Sequence, residues 1–228
     1  YRARKAGIDQ TARGILWHQG ESDGQTLPAD YSFLWDKMRN DWLQDYPALE
    51  QVFVFQVRRG CGIPNMRIRE LQRSCGDLYP DVTVLPTAGI DEHDGCHFTY
   101  LGYRKMGTWM AGALAKVLYG KPISADKSPP NIKEARFTSP ACDEIELIFR
   151  IPGQLLALDP NIEDHIFLGA GIPETVVATS ASPGKITLQL SASTAAAEII
   201  YRGHTGAGPW IRNSSGVGAF TFRVPVLP

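Results

Sequence analysis

Two polar clusters contain the residue types that acid–base and nucleophilic chemistry require, and the first is Trp17 to Asp23, W-H-Q-G-E-S-D. An acyl transfer needs hydrogen-bond donors directed at the developing oxyanion, and the Gln19 amide with nearby backbone N–H groups suits that task. Gly20 would let the backbone approach closely, and Glu21 could orient a histidine or bind substrate hydroxyls. The alternative is a polar turn without a chemical role, because short motifs produce many false matches.

The second cluster is Asp91 to His97, D-E-H-D-G-C-H. Asp94 and His97 are three residues apart with a glycine between them, so the carboxylate can accept from the imidazole Nδ1–H and leave Nε2 as a general base. Two alternatives stay open: His97 only caps or packs a helix start, or His93 and His97 bind a metal with Asp91 and Asp94. The metal site is the weaker one, because the Asp-Gly turn disrupts the single helical face that an H-x3-H pair needs.

Strands and helices alternate through the first half of the chain, which is typical of a mainly parallel sheet with helices on its faces. Apolar runs predict strands at 14–17, 52–55 and 82–85, and helical spacing predicts helices over about 29–46, after Pro64 and around 106–117. In the first helix, the residues expected to face the core are Tyr31, Leu34, Trp35, Met38 and Trp42.

The predicted first half is an αβα sandwich, a fold that binds ligands at the C-terminal ends of its strands. The second strand would deliver Gln56 and Arg58 into a Gly-rich loop. These two residues and His93 are therefore candidate substrate contacts.

A polar, proline-containing linker at 120–130 separates this α/β domain, residues 1–119, from a second domain at 131–228. Short runs of alternating apolar and polar residues in the second domain predict a β-sandwich or barrel. Trp210 and Tyr201, with Asn213 as a polar partner, could form a platform for a sugar. Packing in the core is the commoner fate of such aromatic residues.

Composition excludes several classes of partner. The formal net charge is -1 and there is no Lys/Arg run, which argues against nucleic acid or an anionic membrane surface. No apolar run approaches the roughly 20 residues that a bilayer span needs, and no signal peptide is recognisable. Cys61 and Cys75 could form a disulfide or remain two buried thiols, and Cys96 and Cys142 look unpaired.

Together, W-x-Q-G-E-S-D and D-G-x-H followed by F-x-x-x-G-Y-R-x-M-G resemble the sialate O-acetylesterase-like and acetylxylan-esterase-like branch of the SGNH hydrolases. The resemblance covers about residues 12–118, and Ile68 to Gln72, I-R-E-L-Q, also matches that branch. It implies a flavodoxin-like αβα sandwich, to which the strand pattern after residue 130 adds a C-terminal β-sandwich. We also expect secretion or a periplasmic location. The resemblance also implies a serine esterase that needs no cofactor or metal and hydrolyses O-acyl, commonly O-acetyl, esters on carbohydrates.

Carried over by position, the resemblance makes His97 the general base, Asp94 its partner, and Gln19 and Gly20 the oxyanion loop. Glu21 matches a carboxylate that is an alternative partner for the histidine, ranked below Asp94.

The nucleophile of this family lies on a G-[DQ]-S turn upstream of the Q-G-E loop, and no serine precedes Trp17 here. Ser22, Ser32 and Ser74 match no nucleophile. We therefore expect residues 1–228 to be the C-terminal portion of a longer protein, completed by a serine-bearing N-terminal segment. The alternatives are a non-catalytic carbohydrate-binding protein derived from an esterase fold, and a metal-dependent hydrolase that uses His93 and His97.

Overall fold

The computed structural model describes residues 5–7, 11–25, 27–60, 66–122, 128–203 and 206–228. In the first half, strands β1 (Gly14–Trp17), β2 (Gln51–Gln56) and β3 (Val82–Pro86) form a parallel sheet in the order β1-β2-β3. Helix α1 (Pro28–Asp45) lies between β1 and β2, α2 (Met66–Leu78) between β2 and β3, and α3 (Tyr100–Tyr119) after β3. The predicted alternation of strands and helices is confirmed.

Strand β2 is buried along its whole length because helices cover both faces of the sheet. Successive strand residues point to opposite faces. Val52 and Val54 therefore pack with Trp35 of α1 and Cys75 of α2. On the other face, Phe53 and Phe55 pack with Met106 and Met110 of α3. This arrangement fixes the C-terminal ends of the three strands at one edge of the sheet.

Exposed apolar side chains occur on β1 and around the start of α1. Strand β1 pairs with β2 on one side and with no strand among the described residues on the other. Leu16 of β1 is 56% exposed, and Leu27, Phe33 and Leu34 at the start of α1 are exposed by more than half. The expectation that Leu34 faces the core is therefore wrong. Helical periodicity shows which side chains share a face of the helix but not which of them another element covers.

The second half of the chain is all β. A seven-stranded sheet has the order β7-β10-β12-β4-β5-β9-β8, and β6 pairs with β11 in a separate two-stranded sheet. The bounds are β4 Ile132–Phe137, β5 Glu144–Phe149, β6 Leu156–Leu158, β7 Ile166–Leu168, β8 Val176–Ser182, β9 Lys185–Leu190, β10 Glu198–Tyr201, β11 Ile211–Asn213 and β12 Phe222–Leu227. A single apolar core, with Ile145, Leu147 and Phe222 at its centre, lies beneath these strands.

Tyr201, Trp210 and Asn213 are all buried, so they do not form an exposed platform for a sugar. Tyr201 Oη accepts from the Ile211 N–H, and the Trp210 indole donates to Asp91 of the loop after β3 at 3.0 Å. The interpretation of these residues as core is the correct one. Within the described ranges, no helix combines the length and apolar character needed to cross a bilayer.

Hydrogen bonds join the β-rich half to the α/β half. The side chain of Gln56, at the end of β2, exchanges hydrogen bonds with the backbone of Thr221, accepting from its N–H at 3.0 Å and donating to its carbonyl at 2.7 Å. Arg73 of α2 donates to the Asn131 side chain at 2.8 Å. The loops at the site therefore lie on a scaffold to which both halves contribute.

Candidate active site

The loops that follow β1, β2 and β3 meet around the ring of Phe98. The ring centroid of Phe98 lies 6.0 Å from that of His18 and 6.1 Å from that of His93. The Arg58 guanidinium lies 5.9 Å from the same centroid. Parallel strands end at one edge of a sheet, which explains why residues so distant in sequence converge. Phe98 was not among the predicted site residues.

Gly20, in the loop after β1, requires the absence of a side chain. Its φ of +133° is a conformation that side chains disfavour, and an added Cβ would lie 2.7 Å from Gln72 Nε2. Gln72 of α2 is buried and donates from Nε2 to the Gln19 carbonyl at 3.0 Å and to Tyr31 Oη at 2.9 Å. Its Oε1 accepts from the Val57 N–H at 2.9 Å. One amide of α2 thus holds the loops after β1 and β2 together.

The side chains of the same loop pair with one another. The Gln19 amide donates to Asp23 Oδ2 at 2.8 Å with one of its two N–H groups, which leaves the second as a donor for a substrate. Glu21 Oε1 lies 3.1 Å from His18 Nε2, and this neighbour is the main cause of the lowered pKa of Glu21. The partner of Glu21 in the structure is therefore His18. His18 belongs to the W-H-Q-G-E motif, but sequence analysis assigned it no role.

Asp94 and His97 face each other across a tight turn. Asp94 Oδ1 accepts from the N–H groups of Cys96 at 2.9 Å and His97 at 2.7 Å, and these hydrogen bonds hold the pKa of Asp94 below its usual value. Oδ2 lies 3.6 Å from His97 Nδ1, longer than a hydrogen bond. The two side chains are 63% and 77% exposed, so they face each other in solvent, and the predicted hydrogen bond from Nδ1–H to the carboxylate is not made.

The loops after β1 and β3 border a common space, since His18 of one and Phe98 of the other have ring centroids 6.0 Å apart. His97 makes a small contribution to the lowered pKa of Glu21. Of the predicted site residues, Asp94 and His97 face each other on the loop after β3, and Glu21 lies on the loop after β1 beside His18.

Arg58 and His93 support the loop that carries His97. Arg58 is buried, its Nη1 donates to the Gly95 carbonyl, and its Nη2 lies 3.0 Å from His93 Nε2. His93 Nδ1 accepts from the Gly95 N–H at 3.1 Å, and its Nε2 lies 3.2 Å from the Gly206 carbonyl oxygen. Both side chains are thus engaged within the protein, where they fix the shape of the Asp94–His97 turn.

Gln56 does not point to a substrate. Besides its two bonds to Thr221, its Nε2 donates to the Arg69 carbonyl at 2.9 Å, and the side chain is 1% exposed. Its polar atoms are fully occupied. We therefore do not retain Gln56 as a substrate contact.

The cysteine predictions need correction. Cys96 is disulfide-bonded, whereas Cys75 and Cys142 are free thiols. A Cys61–Cys75 bridge is therefore wrong, and so is the expectation that Cys96 is unpaired; Cys61 itself lies outside the described residues. Cys75 packs against Trp35 and the sheet, and burial raises the pKa of its thiol to about 12. Adjacent to His97, the Cys96 disulfide restrains the turn of the candidate site.

The chain is similar to a known protein family in sequence and to a known protein in fold. The model of the SASA family, described as carbohydrate esterase, sialic acid-specific acetylesterase, matches residues 1–116. The chain belongs to this family. No curated protein sequence matches the chain.

The fold of this SASA-family chain is similar to the crystal structure of a novel carbohydrate acetylesterase from Xanthomonas citri. The TM-score is 0.73 at 18% sequence identity, and the likeness covers 92% of this chain. The chain spans 50% of the length of that structure. The likeness therefore concerns the fold of both halves of the SASA-family chain.

Among the described residues of this SASA-family chain, no serine hydroxyl is hydrogen-bonded to His97. Ser22 lies in a short 3-10 turn, Glu21–Gln25. Ser74 is inside α2, where its hydroxyl donates to the carbonyls of Glu70 and Leu71 at 3.0 Å. Within the same described ranges, no group of three or more His, Cys, Asp or Glu is placed to hold a metal ion.

Proposed function

We propose that this chain supplies the general base and the oxyanion loop of a serine esterase that removes O-acetyl groups from carbohydrates. The observation that carries the proposal is the Asp94–His97 pair beside the Gln19–Gly20 loop, at the strand ends of a SASA-family chain. The similar fold of a carbohydrate acetylesterase supports it.

In the proposed reaction, His97 Nε2 takes the proton of a serine hydroxyl as its oxygen attacks the ester carbonyl. The Gln19 amide and the backbone near Gly20 donate to the resulting oxyanion. His97 then returns the proton to the departing sugar oxygen, and the acyl group stays on the serine. Water, deprotonated by His97, hydrolyses this acyl-enzyme and releases acetate. Asp94 orients His97 throughout, and the 3.6 Å contact shortens when the imidazolium forms.

The nucleophilic serine is proposed to lie on a strand that pairs with the free side of β1. Two observations support this position: β1 is unpaired on that side among the described residues, and Leu16 of β1 is 56% exposed. A strand added beside β1 would complete a flavodoxin-like αβα sandwich and pair the free backbone groups of β1. It would also end at the edge of the sheet where His97 stands exposed.

The proposed compartment is outside the cytosol, in the periplasm or after secretion. The disulfide at Cys96 supports it, because disulfides persist in oxidising compartments.

A fluorophosphonate probe tests the proposal, because it labels an activated serine covalently. The full-length gene product is labelled and digested, and the labelled peptide is identified by mass spectrometry. In a separate assay, acetate release from p-nitrophenyl acetate and from acetylated sugars is measured with and without chelator. We expect one labelled serine outside residues 1–228, hydrolysis that survives chelation, and loss of both labelling and turnover in His97→Ala.

Labelling of Ser22, Ser32 or Ser74 would contradict the assignment of the nucleophile. Sugar binding without hydrolysis in the full-length product would identify a non-catalytic carbohydrate-binding protein instead. Loss of activity on chelation would favour the metal-dependent alternative.

A further inference from the structure

An arginine-rich cavity lies between the two halves of the chain, away from the Asp94–His97 turn. Its volume is about 330 Å³, and five of its lining residues are arginines. Arg59 follows β2 and Arg67 and Arg69 belong to the first turn of α2, whereas Arg202 and Arg223 come from the β-rich half. We call this set the arginine cavity. None of its members belongs to the proposed catalytic machinery.

Buried guanidinium groups in the arginine cavity have unused donors. Arg69 is 2% exposed, and its Nη1 donates to the Arg202 carbonyl at 2.7 Å. Its Nε and Nη2 are buried and have no hydrogen-bond partner among the described residues. Arg59 likewise donates from Nη1 to the Gly203 carbonyl at 3.2 Å, while its Nε is buried without a partner. Such donors are costly to bury unless an acceptor meets them.

Within the described ranges, carboxylates do not neutralise the arginines at the centre of the cavity. Arg223 pairs with Glu198 at 2.7 Å, but no described Asp or Glu lies at ion-pair distance from Arg59, Arg69 or Arg202. The stretches 61–65 and 204–205, adjacent to these arginines in sequence, contain no acidic residue. Burial, together with the charges of Arg59 and Arg202, lowers the pKa of Arg69 to about 9. Among the described residues, Arg59, Arg69 and Arg202 therefore place positive charge in the cavity without a carboxylate partner.

The helix beside the cavity adds to the positive potential. Met66 and Arg67 at the N-terminus of α2 line the cavity, and the first turn of this 13-residue helix contains no acidic side chain. A helix N-terminus carries partial positive charge and normally attracts acidic residues or an anion. A helix N-terminus beside buried Arg59 and Arg69 therefore favours an anion.

We propose that the arginine cavity binds an oxyanion, namely a phosphate, sulfate or carboxylate group. Its oxygens would accept from Arg59 and Arg69 on one side and from Arg202 on the other. A bound anion would thereby join the two halves of the chain. This inference does not depend on the esterase activity, because no catalytic residue takes part.

Isothermal titration calorimetry on the full-length gene product tests the proposal, with inorganic phosphate, sulfate and glucuronate as probes in chloride buffer of constant ionic strength. We expect saturable binding of at least one probe and a higher thermal unfolding midpoint in its presence. Arg202→Gln removes one guanidinium of the cavity, which lies 4.2 Å from the ring centroid of Phe167. This variant should weaken anion binding about tenfold or more.

Arg136→Gln is the matched control, because Arg136 lies on β4 and pairs at 3.1 Å with Glu146, outside the cavity. It changes the net charge equally and should leave binding unchanged. Circular dichroism shows whether each variant is folded. If Arg202→Gln does not fold, Arg67→Gln takes its place, because the side chain of Arg67 is exposed.

Preference for phosphate or sulfate would identify a tetrahedral anion as the ligand, and preference for glucuronate would identify a carboxylate-bearing sugar. No saturable binding of any probe would overturn the proposal. Equal weakening in Arg136→Gln would also overturn it, because binding would then reflect net charge alone.

Discussion

Gln72 donates from its side-chain amide to the Gln19 carbonyl at 3.0 Å, so a residue of α2 sets the position of the loop after β1. The same amide accepts from the Val57 N–H, which fixes the start of the loop after β2 relative to it. Buried polar groups with every bond made are rigid. The proposed oxyanion loop is therefore held by the helical layer as well as by the contacts within the loop.

Gly20→Ala tests this arrangement. The new Cβ would clash with Gln72 Nε2, and the alanine would have to adopt a φ of +133°. We therefore expect destabilisation of about 2–4 kcal/mol and lower kcat/KM. Gly107→Ala is the control, because Gly107 lies exposed on α3 with nothing within 4 Å of its added Cβ. It should be neutral or stabilising by about 0.5–1 kcal/mol in chemical denaturation. Equal stability of the two variants would refute the tight approach of Gln72.

Amide substitutions at the two carboxylates distinguish their roles. Asp94→Asn should lower kcat by roughly 10²- to 10⁴-fold, because the proposed base loses the carboxylate that orients it and stabilises its charged form. Glu21→Gln should lower kcat by less than about tenfold, since Glu21 pairs with His18. The measurement is steady-state hydrolysis of p-nitrophenyl acetate by the full-length gene product. The reverse order of effects would make Glu21 the partner of His97.

The pH dependence of stability should reflect the Glu21–His18 contact. The pKa of Glu21 is lowered from 4.5 in the folded state, so its stabilising contribution is present above that value and is lost as pH falls through the folded pKa. Unfolding midpoints of wild type and Glu21→Gln, measured between about pH 7 and pH 3, should converge below about pH 4.5. Asp41→Asn, which removes an exposed pair with Lys37, is the control and should change stability by less than about 1 kcal/mol. A constant gap between wild type and Glu21→Gln would contradict the ion-pair contact.

The Cys96 disulfide predicts a dependence of the site on redox state. Cys96→Ser should reduce the free energy of unfolding by about 2–4 kcal/mol, because the disulfide is lost. The turn that carries His97 is then less restrained, so kcat should fall roughly ten- to hundredfold. Cys142→Ser, at a free thiol, should change stability by no more than about 0.5 kcal/mol. Native iodoacetamide treatment followed by peptide mapping should modify Cys142 and spare Cys75, whose burial raises its pKa to about 12. Rapid native labelling of Cys96 would show that the disulfide is absent.

Sequence patterns predicted the features that depend on residues close together in the sequence. The apolar run at Val52–Phe55 is a buried strand, and the D-G-x-H spacing placed Asp94 against His97. Periodicity did not reveal that Leu34 is exposed, because the stripe that a helix buries depends on what covers it. Gln56 was misread for a similar reason: its partner Thr221 is 165 residues away, and no local pattern connects them.

The Gln56–Thr221 pairing has a consequence for domain exchange. Replacing the β-rich half at the linker would leave the Gln56 amide, at the end of β2, without the backbone donor and acceptor of Thr221. Buried polar groups that lose their partners destabilise the fold that contains them. A replacement domain must therefore offer Gln56 an equivalent backbone donor and acceptor if the α/β half is to keep its stability.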